Sequence, residues 1–413
     1  MGASGDDFGD RYAYVRNPFA EINLSCSFSK DLIKIELSDE SSGENAIILQ
    51  LLNECCSMIK QERRMMMTVT IKDVAKLANV APSTVSRVIA NNPRISEKTK
   101  HRVREAMEHL GYHPNFNARS LANRSTQAIG LVMPGSADKA FQNPFFPEVI
   151  RGISTIVHEK EYALFMSTGQ TEDEIHDGVV RMVQGGRVDG IILLYSSVDD
   201  KVMNYLIEKK FPFTVIGKPF KNEDAITHID NDNFKAAREM TDYLISLGHD
   251  KIGFVGGSSH LVVTIDRLLG YEKSLRIHHI PYRDEYIIHE EFLKEGGQEA
   301  IRKLMALEEP PTALLVMDDL MAFGVLSTLS EMNISVPYDI SVLSFNNVML
   351  ADFSTPALTS VDINIFQLGY EAADCLMDLI AKPDLTPRRI AVPYKLVERQ
   401  SCMALSAPKE KTI

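Results

Sequence analysis

The chain has 413 residues, 45% of them hydrophobic, and a formal net charge of −12. That length calls for more than one domain, and the composition is that of a globular protein. No apolar run nears the roughly 18 residues that cross a bilayer, and no basic start leads into an apolar core. No membrane partner and no secretory signal are therefore expected, and a cytoplasmic protein is the expectation.

Residues 1–64 carry no clean periodicity, and a short helix near Ala46–Ile59 is the one element they suggest. They run through Glu62-Arg63-Arg64 into Met65-Met66-Met67. Encoded as GAA-AGG-AGG, the charged triplet would spell a purine-rich ribosome-binding site. The expected natural start is then Met65, Met66 or Met67, with residues 1–66 a translated leader or disordered extension. A native extension is the competing reading, and N-terminal sequencing separates the two. Of the five cysteines, Cys26, Cys55 and Cys56 precede the next segment, and Cys375 and Cys402 lie far beyond it. None has metal-ligand spacing, so reduced thiols and no metal are expected.

Ile71, Val74, Ala75 and Ala78 recur at helical spacing and predict one apolar face. Asn79-Val80-Ala81 is a break. Pro82 then suits the first position of a second helix, where its missing N–H is not needed. Val85, Val88 and Ile89 form the buried side of that helix, and Ser83, Thr84, Ser86 and Arg87 project from it. Two short helices around a three-residue turn predict a helix-turn-helix, with the second helix sized for the major groove. Hydroxyls can bond phosphates or base edges. An Arg can take guanine through two parallel hydrogen bonds, worth about 1–3 kcal/mol of discrimination. A solvated helix in a small bundle is the alternative. Ser96 is the expected N-cap of a third helix through Val103, Ala106, Met107 and Leu110, and Gly111 is its stop.

Charge supports this division. Residues 68–126 hold ten cations and four anions, a net of +6, whereas residues 1–64 hold −4 and the remainder −14. A basic headpiece on an acidic body holds DNA at one end and repels it elsewhere.

Four runs resemble the lactose/galactose repressor (LacI/GalR) family: Ile71-Lys72-Asp73-Val74-Ala75, Ser83-Thr84-Val85-Ser86-Arg87-Val88, Gly111-Tyr112 with Pro114-Asn115, and Ala118-Arg119-Ser120-Leu121-Ala122. The resemblance covers residues 68 to about 403. It implies that the last run is a hinge helix that orders on operator, that two hinges enter the minor groove, and that Leu121 wedges a base step open. The implied DNA contacts are Thr70, Ser83, Thr84, Ser86, Arg87, Asn117, Arg119, Leu121 and Ala122, beside Pro82. The implied partner is palindromic double-stranded operator DNA, bound by a homodimer. No Leu heptad follows Val397, which disfavours a tetramer.

From Gln127 short apolar runs alternate with amphipathic stretches: Ala128–Met133, Phe146–Glu159, Tyr162–Ser167, Asp173–Gln184, Gly190–Tyr195, Asp199–Lys209 and Phe213–Ile216. A second set follows: Phe234–Leu247, Lys251–Val255, Asp266–His278, Tyr286–His289, Gly296–Ala306, Ala313–Met317, Met321–Met332 and Ile340–Phe345. Such alternation predicts parallel sheets covered on both faces. The fold class expected is α/β, a helix-turn-helix headpiece (67–126) with a hinge helix, followed by a two-lobed core (127–403) of doubly wound parallel sheets. By the family resemblance this core is similar to periplasmic sugar-binding proteins. Lobe 1 would take 127–228 and 361–388, lobe 2 would take 229–360 and 389–403, and 404–413 would be a tail. Crossovers are expected near 228, 360 and 388.

The resemblance implies a saccharide pocket made by Phe145, Phe146, Arg267, Phe292, Asp319 and Asn346. Ring faces stack on sugar C–H faces, while hydroxyls need paired donors and acceptors. Core packing is the competing account of each Phe. Leu261-Val262-Val263 stand where purine-binding relatives carry a second Arg, which argues against a purine. Within the family the pattern looks most like its maltose-operon repressors, so a maltose or maltodextrin-type effector is expected. The alternatives are a regulator of another carbohydrate operon, a corepressed or protein-coactivated regulator, or a sugar-binding protein without DNA function.

Enzymatic patterns are weak. Gly253-Phe254-Val255-Gly256-Gly257-Ser258 lacks both the Lys-Ser/Thr of a phosphate loop and dinucleotide spacing. Asp318 and Asp319 are adjacent and would diverge, a poor acid/base pair. Asp199-Asp200 suit a helix cap. No enzyme activity and no cofactor are expected. The hinge expectation is directly testable: Leu121→Ala should weaken specific operator binding far more than non-specific binding, and equal losses in a gel-shift comparison would remove Leu121 as the wedge.

Overall fold

A computed structural model describes residues 69–112 and 125–405, with the backbone of an antiparallel hairpin between β1 (Ser25–Ser29) and β2 (Leu32–Glu36). The hairpin is absent from the sequence reading. The helix suggested near 46–59 and the hinge residues 117–122, with Asn117, Arg119, Leu121 and Ala122, lie outside the described residues.

The headpiece has three helices, α1 (Ile71–Leu77), α2 (Pro82–Ile89) and α3 (Glu97–Leu110). Val74, Ala75, Ala78, Val85, Val88, Val103 and Ala106 close a small core. Each end has a local cause. Asp73 accepts from the Thr70 amide (2.9 Å) and hydroxyl (2.7 Å), fixing the start of α1. Asn79, at φ +48°, turns the chain towards α2, a conformation Asn tolerates better than most residues. Ser96 accepts from the Thr99 amide at the start of α3, and Gly111 ends it at φ +61°.

The core holds two six-stranded sheets. In lobe 1 the order is β13-β7-β6-β5-β3-β4, from β3 (Ala128–Val132), β4 (Ala163–Ser167), β5 (Gly190–Leu193), β6 (Phe213–Ile216), β7 (His228–Asp230) and β13 (Arg389–Ala391), all pairs parallel. In lobe 2 the order is β14-β12-β11-β10-β8-β9, from β8 (Ile252–Gly256), β9 (Ile287–His289), β10 (Ala313–Val316), β11 (Ser341–Phe345), β12 (Thr359–Asp362) and β14 (Lys395–Val397). Only β14 runs antiparallel there. The strands are buried on both faces in the central positions, as parallel sheets require.

Helices α4 (Ala137–Gln142), α5 (Phe145–Glu159), α6 (Glu172–Gln184), α7 (Lys201–Lys209) and α13 (Ile365–Ala381) belong to lobe 1. Helices α8 (Asn233–Ser246), α9 (Val262–Ile277), α10 (Lys294–Met305), α11 (Asp319–Glu331) and α12 (Leu350–Phe353) belong to lobe 2. The α5–α13 pair is close because both crossing residues are glycine. A Cβ on Gly152 would meet the Phe366 carbonyl oxygen at 2.1 Å, and one on Gly369 would meet that of Val149 at 2.1 Å. The alternation read from sequence stops at Phe345 and does not include α13. None of the described helices is long and apolar enough to cross a membrane.

The three crossovers lie at 231–232, 363–364 and 392–394, each three or four residues beyond the expected positions. The physical reason is strand pairing: β7 and β13 bond each other in lobe 1 before their chains leave it. One buried side chain gathers all three. The Asn231 amide, on the first crossover, donates to the Ile363 carbonyl (3.0 Å) on the second and to the Val392 carbonyl (2.8 Å) on the third. The entry to lobe 1 is fixed in a similar manner. Asp189 accepts from the Ser125 hydroxyl (2.6 Å), the Thr126 amide (2.7 Å) and hydroxyl (2.8 Å), and the Gln127 amide (2.9 Å).

Asn231→Asp tests the first of these nodes. A carboxylate offers no N–H and would face two carbonyl oxygens, so a loss of about 2–4 kcal/mol is expected. Urea unfolding should show it, with part of the loss recovered at acid pH, where the carboxyl carries a proton to donate.

Candidate functional site

Two features stand out, an exposed polar face on α2 and a cleft between the lobes. On α2, Ser83, Ser86 and Arg87 are exposed, Thr84 is half-buried, and Val85 and Val88 are turned inwards. Pro82 occupies the first helical position after Ala81. The polar groups therefore form one face opposite the headpiece core. Thr70 stands apart from them: its hydroxyl is given to Asp73, and these contacts hold the Asp73 carboxyl below its ordinary range.

The cleft encloses about 510 Å³, within the range of small-molecule sites. Lobe 1 contributes Phe145 and Phe146 from the start of α5, packed edge to face with centroids 5.3 Å apart. It also contributes Tyr195 and Ser196 beyond β5. Lobe 2 contributes Phe292, Arg267, Asp318 and Asn346. The expected set of Phe145, Phe146, Arg267, Phe292 and Asn346 is thus brought together at one cavity.

Arg267 is a buried charge with defined partners. Its Nε donates to Asn233 Oδ1 at 2.8 Å and a terminal nitrogen to the Met317 carbonyl at 2.7 Å. The guanidinium lies 3.9 Å from the centroid of the Phe345 ring, a cation–π geometry. Burial pushes its pKa down to about 10, and Asp230, Asp318 and Asp319 oppose that shift. Asp230 is pushed up to about 7, chiefly by burial.

The two adjacent acids divide their roles, which corrects the expectation for Asp319. Asp318 is the N-cap of α11, in extended conformation, and its Oδ1 accepts from the Leu320 amide at 2.7 Å. Its Oδ2 faces the cavity and accepts from Asn143 Nδ2 (2.9 Å) and Asn346 Nδ2 (2.7 Å). Asp319, one residue on, is fully buried and is not a cavity-lining residue. It accepts from the hydroxyls of Ser344 and Ser360 and from the Val348 amide, which ties α11 to β11 and β12. Burial pushes the Asp319 carboxyl up to about 7 against those three donors. An N-cap position was the sequence signal that could have separated the two, because a cap has extended backbone and gives a side-chain oxygen to the first helical amides, whereas the next residue is already helical.

Asn346 reaches Asp318 from an unusual backbone, φ +106° followed by Asn347 at +50°. Such conformations in non-glycine residues concentrate at functional sites. Asn143, absent from the sequence reading, reaches across the lobes to Asp318, and Lys139 Nζ makes an ion pair with Glu291 across the same side at 2.6 Å. The Asp199-Asp200 pair behaves as expected of a cap, with Asp200 accepting from the Met203 amide at 2.9 Å.

Two family models match separate parts of the chain. Residues 70–115 match the family model for bacterial regulatory proteins, lacI family, and residues 241–402 match the periplasmic binding protein-like domain. The chain is 43% identical over 321 residues to the HTH-type transcriptional regulator MalR of Streptococcus pneumoniae, covering 76% of this chain and 93% of that one. A solved structure assigned as a transcriptional regulator LacI from Bacillus cereus subsp. cytotoxis is 54% identical, with a TM-score of 0.66 over 67% of this chain and 98% of that one. A complex of the transcriptional regulator CelR with cellobiose is 29% identical, with a TM-score of 0.64 over 81% of this chain and 99% of that one.

Asp319→Ala would leave three buried donors unmatched and should cost about 2–4 kcal/mol of core stability. Chemical denaturation monitored by circular dichroism checks this, and an unchanged midpoint would exclude the structural role.

Proposed function

This chain belongs to the lacI family of bacterial regulatory proteins, and from that premise we propose that it is a repressor released from its operator by a maltose or maltodextrin-type saccharide. The observation that carries the effector reading is the cleft itself: three aromatic rings, Phe145, Phe146 and Phe292, around Arg267, Asp318 and Asn346. Rings cover the C–H faces of a pyranose, and the polar groups serve its hydroxyls as donor and acceptor. The kinship with MalR and the likeness to a cellobiose-bound regulator support a glucose-based saccharide.

In this reading Ser83, Thr84, Ser86 and Arg87 meet the major groove with Pro82 beside them, and Thr70 sits at the phosphate backbone. Asn117, Arg119, Leu121 and Ala122 form the minor-groove hinge. A homodimer places two headpieces on a palindromic site. Asp318 takes the ligand contact first expected of Asp319. The reaction is binding alone, with no bond made or broken. The saccharide favours one arrangement of the lobes and the operator the other, so each lowers the affinity for the other by the same factor.

Operator fragments from the gene's own promoter region, titrated at fixed salt with maltose, maltotriose, glucose, galactose and a purine, test the proposal. Release by maltose or maltotriose alone is expected, and indifference to every sugar would refute a saccharide inducer. Asp318→Asn keeps a capping residue but sets an amide donor against those of Asn143 and Asn346. It should weaken saccharide binding about 10- to 100-fold by calorimetry while operator binding stays intact.

A further inference from the structure

The two lobes meet at the cleft through side chains, as Asn143 and Asp318 show, and also through main chain. Ser196, Ser197 and Val198 follow β5 in lobe 1, and His260, Leu261 and Val262 precede the body of α9 in lobe 2. The Val198 amide donates to the His260 carbonyl at 2.9 Å, and the Val262 amide donates to the Ser196 carbonyl at 3.0 Å. Ser197 and Leu261 pair between them as an isolated antiparallel bridge. Ser196, Ser197, His260 and Leu261 all line the cavity.

We propose that this bridge is the latch of the cleft, a two-hydrogen-bond strand pairing that must open for ligand to enter or leave. Three observations converge. The bonds join segments of different lobes, whereas every other strand pairing in the core lies within one lobe. The bonded segments border the cavity, so separating them opens its wall. Both segments are anchored from behind: Asp200 caps α7 two residues after Val198, and Val262 is the first residue of α9. Opening therefore displaces the lobes, not two slack loops. The latch uses no side-chain chemistry, so it acts on any ligand that fits the cleft. Its role in ligand exchange rests on the saccharide reading above, but the latch itself does not.

The geometry supplies a clean substitution. Val262 occupies the first helical position, where Pro is favoured, and Leu261 before it is extended at φ −83° and ψ 130°, as a residue preceding Pro should be. Val262→Pro deletes one latch donor and spares α9. Hydrogen–deuterium exchange on the full-length protein reads the result. In the wild type the Val198 and Val262 amides should be protected relative to that of the exposed Ser259. In Val262→Pro the Val198 amide should lose its protection while β8 and β10 keep theirs, and maltose should dissociate about 2- to 10-fold faster. A Val198 amide still protected in that variant overturns the latch. If the variant does not fold, the wild type decides, because latch amides exchanging as fast as Ser259 overturn the proposal and joint protection supports it. Failure of the wild type to bind maltose counts against the saccharide reading alone, since the exchange comparison needs no ligand.

Discussion

One buried amide constrains how the two lobes of this core can move. Asn231 gives both N–H groups to carbonyls on the other two crossovers, so the three chain connections between lobes form a bonded bundle. A buried carbonyl without a donor is costly, and this favours motions that keep the bundle together. Such motions pivot at the crossovers and change the mouth of the cleft more than its base. The cavity reaches down to this bundle, since Asn231 and Ile363 are among its lining residues.

Electrostatics set the second constraint. A guanidinium removed from water needs compensation, and Arg267 finds it in a ring, two oxygen acceptors and three nearby carboxylates. Its partners come from the first crossover region, the end of β10 and the end of β11, so one residue organises the lobe 2 wall of the cleft. The surrounding acids feel the same burial from the other side, and their carboxyls rise while the guanidinium falls. The wall thus sets one buried cation among buried carboxyls.

Much of this was written in local sequence. The headpiece helices carry their own start and stop signals at Thr70, Pro82, Ser96 and Gly111, so short-range reading suffices there. The buried strands show as apolar runs. What local sequence concealed depends on contacts distant along the chain. The strand β13 is three residues long and its sheet partner is β7, 161 positions away. The role of Asn231 depends on carbonyls 132 and 161 residues away. Asp318 and Asp319 differ locally in that the first caps α11, but the burial of Asp319 depends on Ser344 and Ser360, far along the chain. The helix α13 is different, since its apolar residues do recur at helical spacing and its omission reflects no hidden physics.

The four hydrogen bonds that Asp189 draws from Ser125, Thr126 and Gln127 weld the first residues of the core to lobe 1. Among the described residues, the start of the core at 125–127 is therefore grounded in lobe 1. Lobe 2 contributes Phe292, Arg267, Asp318 and Asn346 to the wall of the cleft. In mechanical terms Asp189 is a rivet: residues 125–127 share whatever position lobe 1 takes.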